Sequence, residues 1–132
     1  MKEPKWLTLE MIRAIHEESL AVFGGAPGVR DEALLESTLD KPRNLFAYGE
    51  APTIHDLAAA YCSGIVRNHP FIDGNKRAGL LVARASLFLN GYAFEPNEAD
   101  EANVILNLAA GAMDEKTLAQ WFSDNTARRR KR

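Results

Sequence analysis

Between Arg67 and Gly79 the chain reads RNHPFIDGNKRAG, and the nine residues from His69 to Arg77 hold an imidazole, a carboxylate, a carboxamide and two cations. Helical patterns flank this run on both sides, so it reads as a tight loop opening a helix. Gly74 supplies the backbone freedom for a sharp reversal, and Asn75 is suited to cap the helix that follows. The first N–H groups of that helix then face the loop unpaired, with the positive end of the helix dipole behind them, which is an anion site built from main chain. Lys76 and Arg77 stand in the first turn, where a cation is unfavourable by about 0.3–1 kcal/mol, so a negative ligand is expected to offset them. A polyphosphate fits. Asp73 can hold a divalent cation on phosphate oxygens, since Mg²⁺ commonly takes one or two protein carboxylates and completes its shell with substrate and water. His69 is suited to take a proton from an incoming hydroxyl. Phe71 points inward and anchors the loop.

Taken singly, each of these residues has a plainer meaning. A histidine before proline ends a helix, Asp-Gly-Asn is an ordinary turn, and a Lys-Arg pair is a solvated first turn. Their concentration in one loop is what points to chemistry. His16 and His55 sit in helical patterns without partners and read as surface or structural residues, and Cys62, among apolar positions, reads as core.

Six amphipathic segments must position the loop. Thr8 caps the first, which carries Leu9, Ile12, Ile15 and Leu20 and stops at Gly24-Gly25. Asp31 caps a short second helix that Pro42 ends, and residues 42–53 read as an exposed loop or small flap. Thr53, paired with Asp56, opens the third helix, which must end at His69-Pro70. The fourth starts near Asn75 and stops at Gly91; its wide apolar stripe predicts that it is the central, most buried helix. YAFEP is a brief extended link, and Asn97 and Asp114 open the last two helices. The fold class is therefore all-α, one domain over residues 1–125.

Composition narrows the functional classes. Five of the 16 basic residues occupy the last five positions, so the body sets 11 bases against 18 acids. A body that acidic is a poor non-specific ligand for nucleic acid; contact with it is expected only through the basic tail, residues 126–132, which reads as disordered and solubilising. No stretch approaches the ~18 apolar residues of a membrane span. The N-terminus lacks a secretory pattern, and a single cysteine suits a reducing compartment. The expected location is the cytoplasm.

The loop HPFIDGNKR resembles the HxFx(D/E)(G/A)N(G/K)R signature of the Fic/Doc family. The likeness continues through GVRDEALLESTLDKP, YGE, LAAAYCSGIVRNHPF and FLNGY, covering residues 28–95. The resemblance implies the helical Fic fold and transfer of part of a nucleoside triphosphate to a protein hydroxyl. It makes His69 the general base, Asp73 the Mg²⁺ ligand, and Gly74, Asn75, Lys76 and Arg77 the phosphate binders, with ATP as the donor. Two positions depart from the AMP-transferring pattern HPFx(D/E)GNGRxxR. Lys76 replaces a glycine, and Leu80 stands where an arginine is expected. Both match the Doc branch of death-on-curing toxins, which implies phosphorylation of translation elongation factor Tu; the alternatives are AMP transfer from the same site, or a catalytically silent regulatory module. In this family residues 42–53 would be able to dock the target by strand-like pairing. The self-silencing motif [S/T]xxxE[G/N] found in some relatives is absent from the 132 residues. Inhibition is then expected from a separate antitoxin, a disordered segment folding into a groove beside the site.

Overall fold

The computed structural model describes residues 2–129. Six helices and two short strands follow one another as α1 (Leu9–Phe23), α2 (Glu32–Tyr48), α3 (Ile54–Asn68), α4 (Asn75–Leu89), β1 (Tyr92–Phe94), α5 (Glu98–Ala109), α6 (Glu115–Asp124) and β2 (Thr126–Arg128). The mostly helical architecture agrees with the expected class. Helix starts sit where local capping chemistry puts them. Thr8, Asp31 and Asp114 accept from backbone N–H groups of their first turns, and Asn97 accepts from Ala99 and Asp100. Thr53 and Asp56 exchange both bonds of a capping box.

The centre of the fold is α3, not α4. Every residue from Leu57 to Val66 is buried, and this run carries no charge. A wide apolar stripe marks a central helix less surely than absence of charge does: α4 exposes Lys76, Arg77 and Arg84, so one side of it faces solvent. Small residues let neighbours approach α3 closely. Around it, one cluster joins Phe94, Leu108, Leu118 and Phe122; another joins Ile12, Leu35, Tyr61, Ile65, Phe71 and Val82 from the α1, α2 and α4 side. The Leu7 N–H donates to the buried Tyr61 hydroxyl at 3.1 Å and ties the N-terminal segment to α3.

Three further expectations are corrected. Pro42 does not end α2; the helix passes through it for six more residues, to Tyr48. An interior proline removes one backbone bond and costs about 3 kcal/mol. Burial of Pro42 itself and packing of Leu45 and Phe46 against the core oppose that cost. Consequently residues 42–48 are helix and not flap. What remains, residues 49–53, lies at the start of α3, whose 15 residues put it about 22 Å along the helix axis from His69. Finally, the start of the presumed tail is a strand: β2 pairs antiparallel with β1, Phe94 opposite Thr126 and Tyr92 opposite Arg128. The His55 ring Nε2 lies 2.8 Å from the Thr126 hydroxyl, and the Arg129 N–H donates to the Gly91 carbonyl. His55 is thus partnered, and its burial holds its basicity below the ordinary histidine value. The expectation for residues 130–132 falls outside the described residues. Among the described residues, no helix is long and apolar enough to cross a membrane.

Candidate functional site

The chain leaves α3 through His69, whose φ of 50° and ψ of 58° are left-handed. That conformation disfavours a non-glycine residue, and the surrounding contacts enforce it. Arg30 donates from Nε to the His69 carbonyl at 2.6 Å and from a terminal nitrogen to the Asn68 carbonyl at 2.7 Å. These are orphan carbonyls of the α3 C-terminus, satisfied by one guanidinium. The Arg30 and Asp31 N–H groups both donate to the Pro70 carbonyl, and the Ile72 N–H donates to the Gly28 carbonyl. Val29 and Phe71 form an antiparallel bridge. The segment lying along the loop is therefore residues 25–31, not residues 42–53.

Sequence alone singles out Asp31 at the start of α2 and gives its neighbour Arg30 no role. Nothing local distinguishes an arginine that reaches 39 positions along the chain. Arg30→Ala is expected to cost about 1–2 kcal/mol of stability, the scale of a partly exposed charged hydrogen bond, and to lower any transfer rate by loosening His69. Arg30→Lys should restore little, because one ammonium cannot reproduce the two-pronged contact. Urea unfolding and initial rates of the two variants check this.

Inside the loop, Phe71 is buried at 1% exposure and stacks on the His16 ring, centroids 3.7 Å apart and planes within 7°. Asn75 does not cap α4. Gly74 is the N-cap, at φ 75°, and no side chain caps the helix. The Asn75 amide turns back instead: its oxygen accepts from the Phe71 N–H and its nitrogen donates to the Phe71 carbonyl, both at 3.0 Å. That closes the loop on itself and puts the Asn75 nitrogen 3.5 Å from His69 Nδ1. The opening turn of α4 thus keeps its N–H groups free of side-chain acceptors, the condition an anion cradle needs.

Asp73 is exposed. One carboxylate oxygen accepts from the Ala26 N–H at 3.0 Å and the other from the Gly74 N–H at 2.8 Å. These two donors, Ala26 foremost, hold the Asp73 carboxyl below the ordinary carboxylate value. Its contribution to stability is accordingly present above the unfolded value, near 3.9, and is lost as pH falls through the lower folded one. The stability difference between wild type and Asp73→Asn, measured by urea unfolding across acid pH, should shrink on that descent. Gly25 makes the contact possible: at φ 125°, a Cβ there would sit 3.0 Å from an Asp73 oxygen.

His69, Asp73, Gly74, Asn75, Lys76 and Arg77 all line one open cleft of about 340 Å³. The Arg77 guanidinium rests 4.0 Å from the centroid of Phe23 at the end of α1. A larger cleft, about 970 Å³, lies at the opposite end of the α3–α4 hairpin beside Thr53 and Asn90. Its lining also includes His55, Glu3 and Asn90, but these are engaged by Thr126, Trp6 and the Lys5 and Ser86 backbone. The helix start that opens on it, at Thr53, is closed by its capping box. Among the described residues, no group of three or more His, Cys, Asp or Glu side chains could cage a metal. Asp73 is a single exposed carboxylate with lone pairs left over, which suits a cation arriving with phosphate oxygens. Cys62 is buried, and burial pushes its thiol far up; it is inert core.

Comparison with known proteins bears on what this cleft is. The chain is 33% identical over 90 residues to a protein named Toxin Doc from Mycolicibacterium smegmatis, covering 67% of this chain and 69% of that one. It is 29% identical over 111 residues to one named Protein kinase doc from Escherichia phage P1, covering 83% and 86%. The sequence profile of the Fic/DOC family matches residues 6–87, which span α1, the 25–31 segment and the whole loop. With its helical Fic fold and its loop in place, the chain belongs to the Fic/DOC family.

Proposed function

We propose that this protein is the toxin of a toxin–antitoxin pair, phosphorylating a hydroxyl of a translation protein similar to elongation factor Tu with ATP as donor. The observation that carries the reading is the convergence of His69, Asp73 and the uncapped start of α4 on one cleft. The names of the two relatives support the toxin and kinase parts.

In this reading the α4 amides, Lys76 and Arg77 bind the polyphosphate and stabilise charge as the phosphoryl group moves, which is most of what phosphoryl transfer asks of a protein. Mg²⁺, held by Asp73 when bound, supplies neutralising charge on the phosphates. His69, fixed by Arg30 and Asn75, accepts the proton of the attacking hydroxyl. Lys76 occupies space that glycine would leave open to a phosphate, and Leu80 removes one guanidinium clamp. Both changes favour a nucleotide seated with its γ-phosphate outward. The uncapped amides call for restraint in trans, by an antitoxin, and the site of action is the cytoplasm.

The deciding experiment incubates the purified protein with a translation extract and ATP labelled at either the α or the γ phosphorus. Label from the γ position on a protein band supports the proposal. Label from the α position replaces it with AMP transfer, and no label from either, under conditions where the nucleotide binds, points to a silent regulatory module.

A further inference from the structure

His16 is 3% exposed, on the buried stripe of α1 with Ile12 and Ser19. Its Nε2 lies 2.8 Å from the main-chain carbonyl oxygen of Asp73. A carbonyl only accepts, so Nε2 carries the proton. The ring's freedom is restricted by the parallel stack on Phe71. Helical spacing alone gives this histidine no partner; the fold supplies one 57 positions away.

The contact matters because of which peptide it holds. The carbonyl of Asp73 and the N–H of Gly74 belong to one planar unit and point in opposite directions. With the carbonyl turned to His16, the Gly74 N–H is turned to the Asp73 carboxylate. Rotating that plane by half a turn would direct the carbonyl's negative end toward the mouth of α4, where the cradle needs positive potential. It would also strip the Asp73 carboxylate of one of its two donors. Gly74 itself offers little resistance, since at φ 75° it is a glycine, for which positive and negative φ are both accessible. Within the loop the Asp73 carboxylate opposes the turn, and from outside it the hold on the carbonyl is His16.

We infer that His16 is a positioning residue that locks the Asp73–Gly74 peptide plane, and so keeps the phosphate cradle electropositive and the Asp73 carboxylate aimed at the cleft. The part concerning phosphate rests on the proposed function; the orientation of the peptide does not, and the test separates them.

On the full-length protein labelled with ¹⁵N, a long-range nitrogen–proton correlation should find the His16 proton on Nε2; a proton on Nδ1 alone overturns the inference, whatever the variants do. His16→Phe keeps the stack and removes the donor. Its Gly74 amide resonance should move or split relative to wild type, and His16→Gln, which regains an N–H, should return it toward the wild-type position. An unmoved Gly74 resonance in folded His16→Phe also overturns the inference. In the labelled-ATP assay, a lost lock should lower kcat on the order of ten- to a hundredfold, as small misplacements in a site do, with partial recovery in His16→Gln. If wild type transfers neither label, the functional reading fails while the resonance measurements still decide the lock.

Discussion

His69→Ala is expected to lower phosphoryl transfer by about 10²–10⁴-fold, the usual contribution of a positioned general base, with nucleotide affinity close to wild type. The ring lines the cleft, but in the proposed reading the phosphate is held by the uncapped α4 amides and the side chains of Lys76 and Arg77, none of which depends on an imidazole. The position is left-handed, at φ 50°, so His69→Asn is the sharper variant. Asparagine tolerates that conformation better than other non-glycine residues, so it removes the base without asking the backbone to relax. Both variants should bind ATP, transfer little label and leave growth unimpaired when expressed without an antitoxin, under conditions where wild type arrests it. Growth arrest that survives either substitution would remove His69 from the mechanism, and a parallel loss of nucleotide affinity would make it a binding group instead.

Why the loop could be read in advance, and its supports could not, follows from the range of the forces involved. Nine consecutive residues cannot be far apart, so the sequence alone brought His69, Asp73 and Arg77 to one place. Helix starts were equally legible, because Thr8, Asp31, Thr53, Asn97 and Asp114 each bond within their own first turn. The contacts that orient the loop cross 38 to 57 positions: Arg30 to the end of α3, Ala26 to Asp73, and His16 to the Asp73 carbonyl. Of these only His16 left a trace, as a polar residue on the apolar face set by Leu9 and Ile12. The Pro42 and β2 corrections have the same origin. Tertiary packing carried α2 through a proline, and a three-residue strand at the edge of a basic segment is too short to show alternation.

The same close packing that makes α3 central predicts the largest stability effect. A Cβ at Gly79 would lie 2.6 Å from a methyl of Val66 and 3.2 Å from the Cys62 carbonyl oxygen. The first demands movement of a fully buried side chain, the second of the α3 backbone. Gly79→Ala gains about 0.8–1 kcal/mol of helix propensity and loses about 1–3 kcal/mol to overpacking, leaving a small net loss. Gly79→Val adds two further methyls and a β-branch, and should cost about 3 kcal/mol or more of a typical 5–15 kcal/mol total. At this chain length that lowers Tm by roughly 10 °C. Gly64, on α3 itself, is the control: a Cβ there meets only Thr38, at 3.8–3.9 Å, which is ordinary contact. Gly64→Ala should therefore keep its propensity gain and raise Tm. Because Gly79 is one turn beyond Asn75, α4 pushed off α3 at that point also carries the cradle away from His69, and activity should fall in Gly79→Val even below its melting temperature. Thermal and urea unfolding of the three variants distinguish this account from a propensity effect alone, which would raise Tm in Gly79→Ala and Gly64→Ala equally.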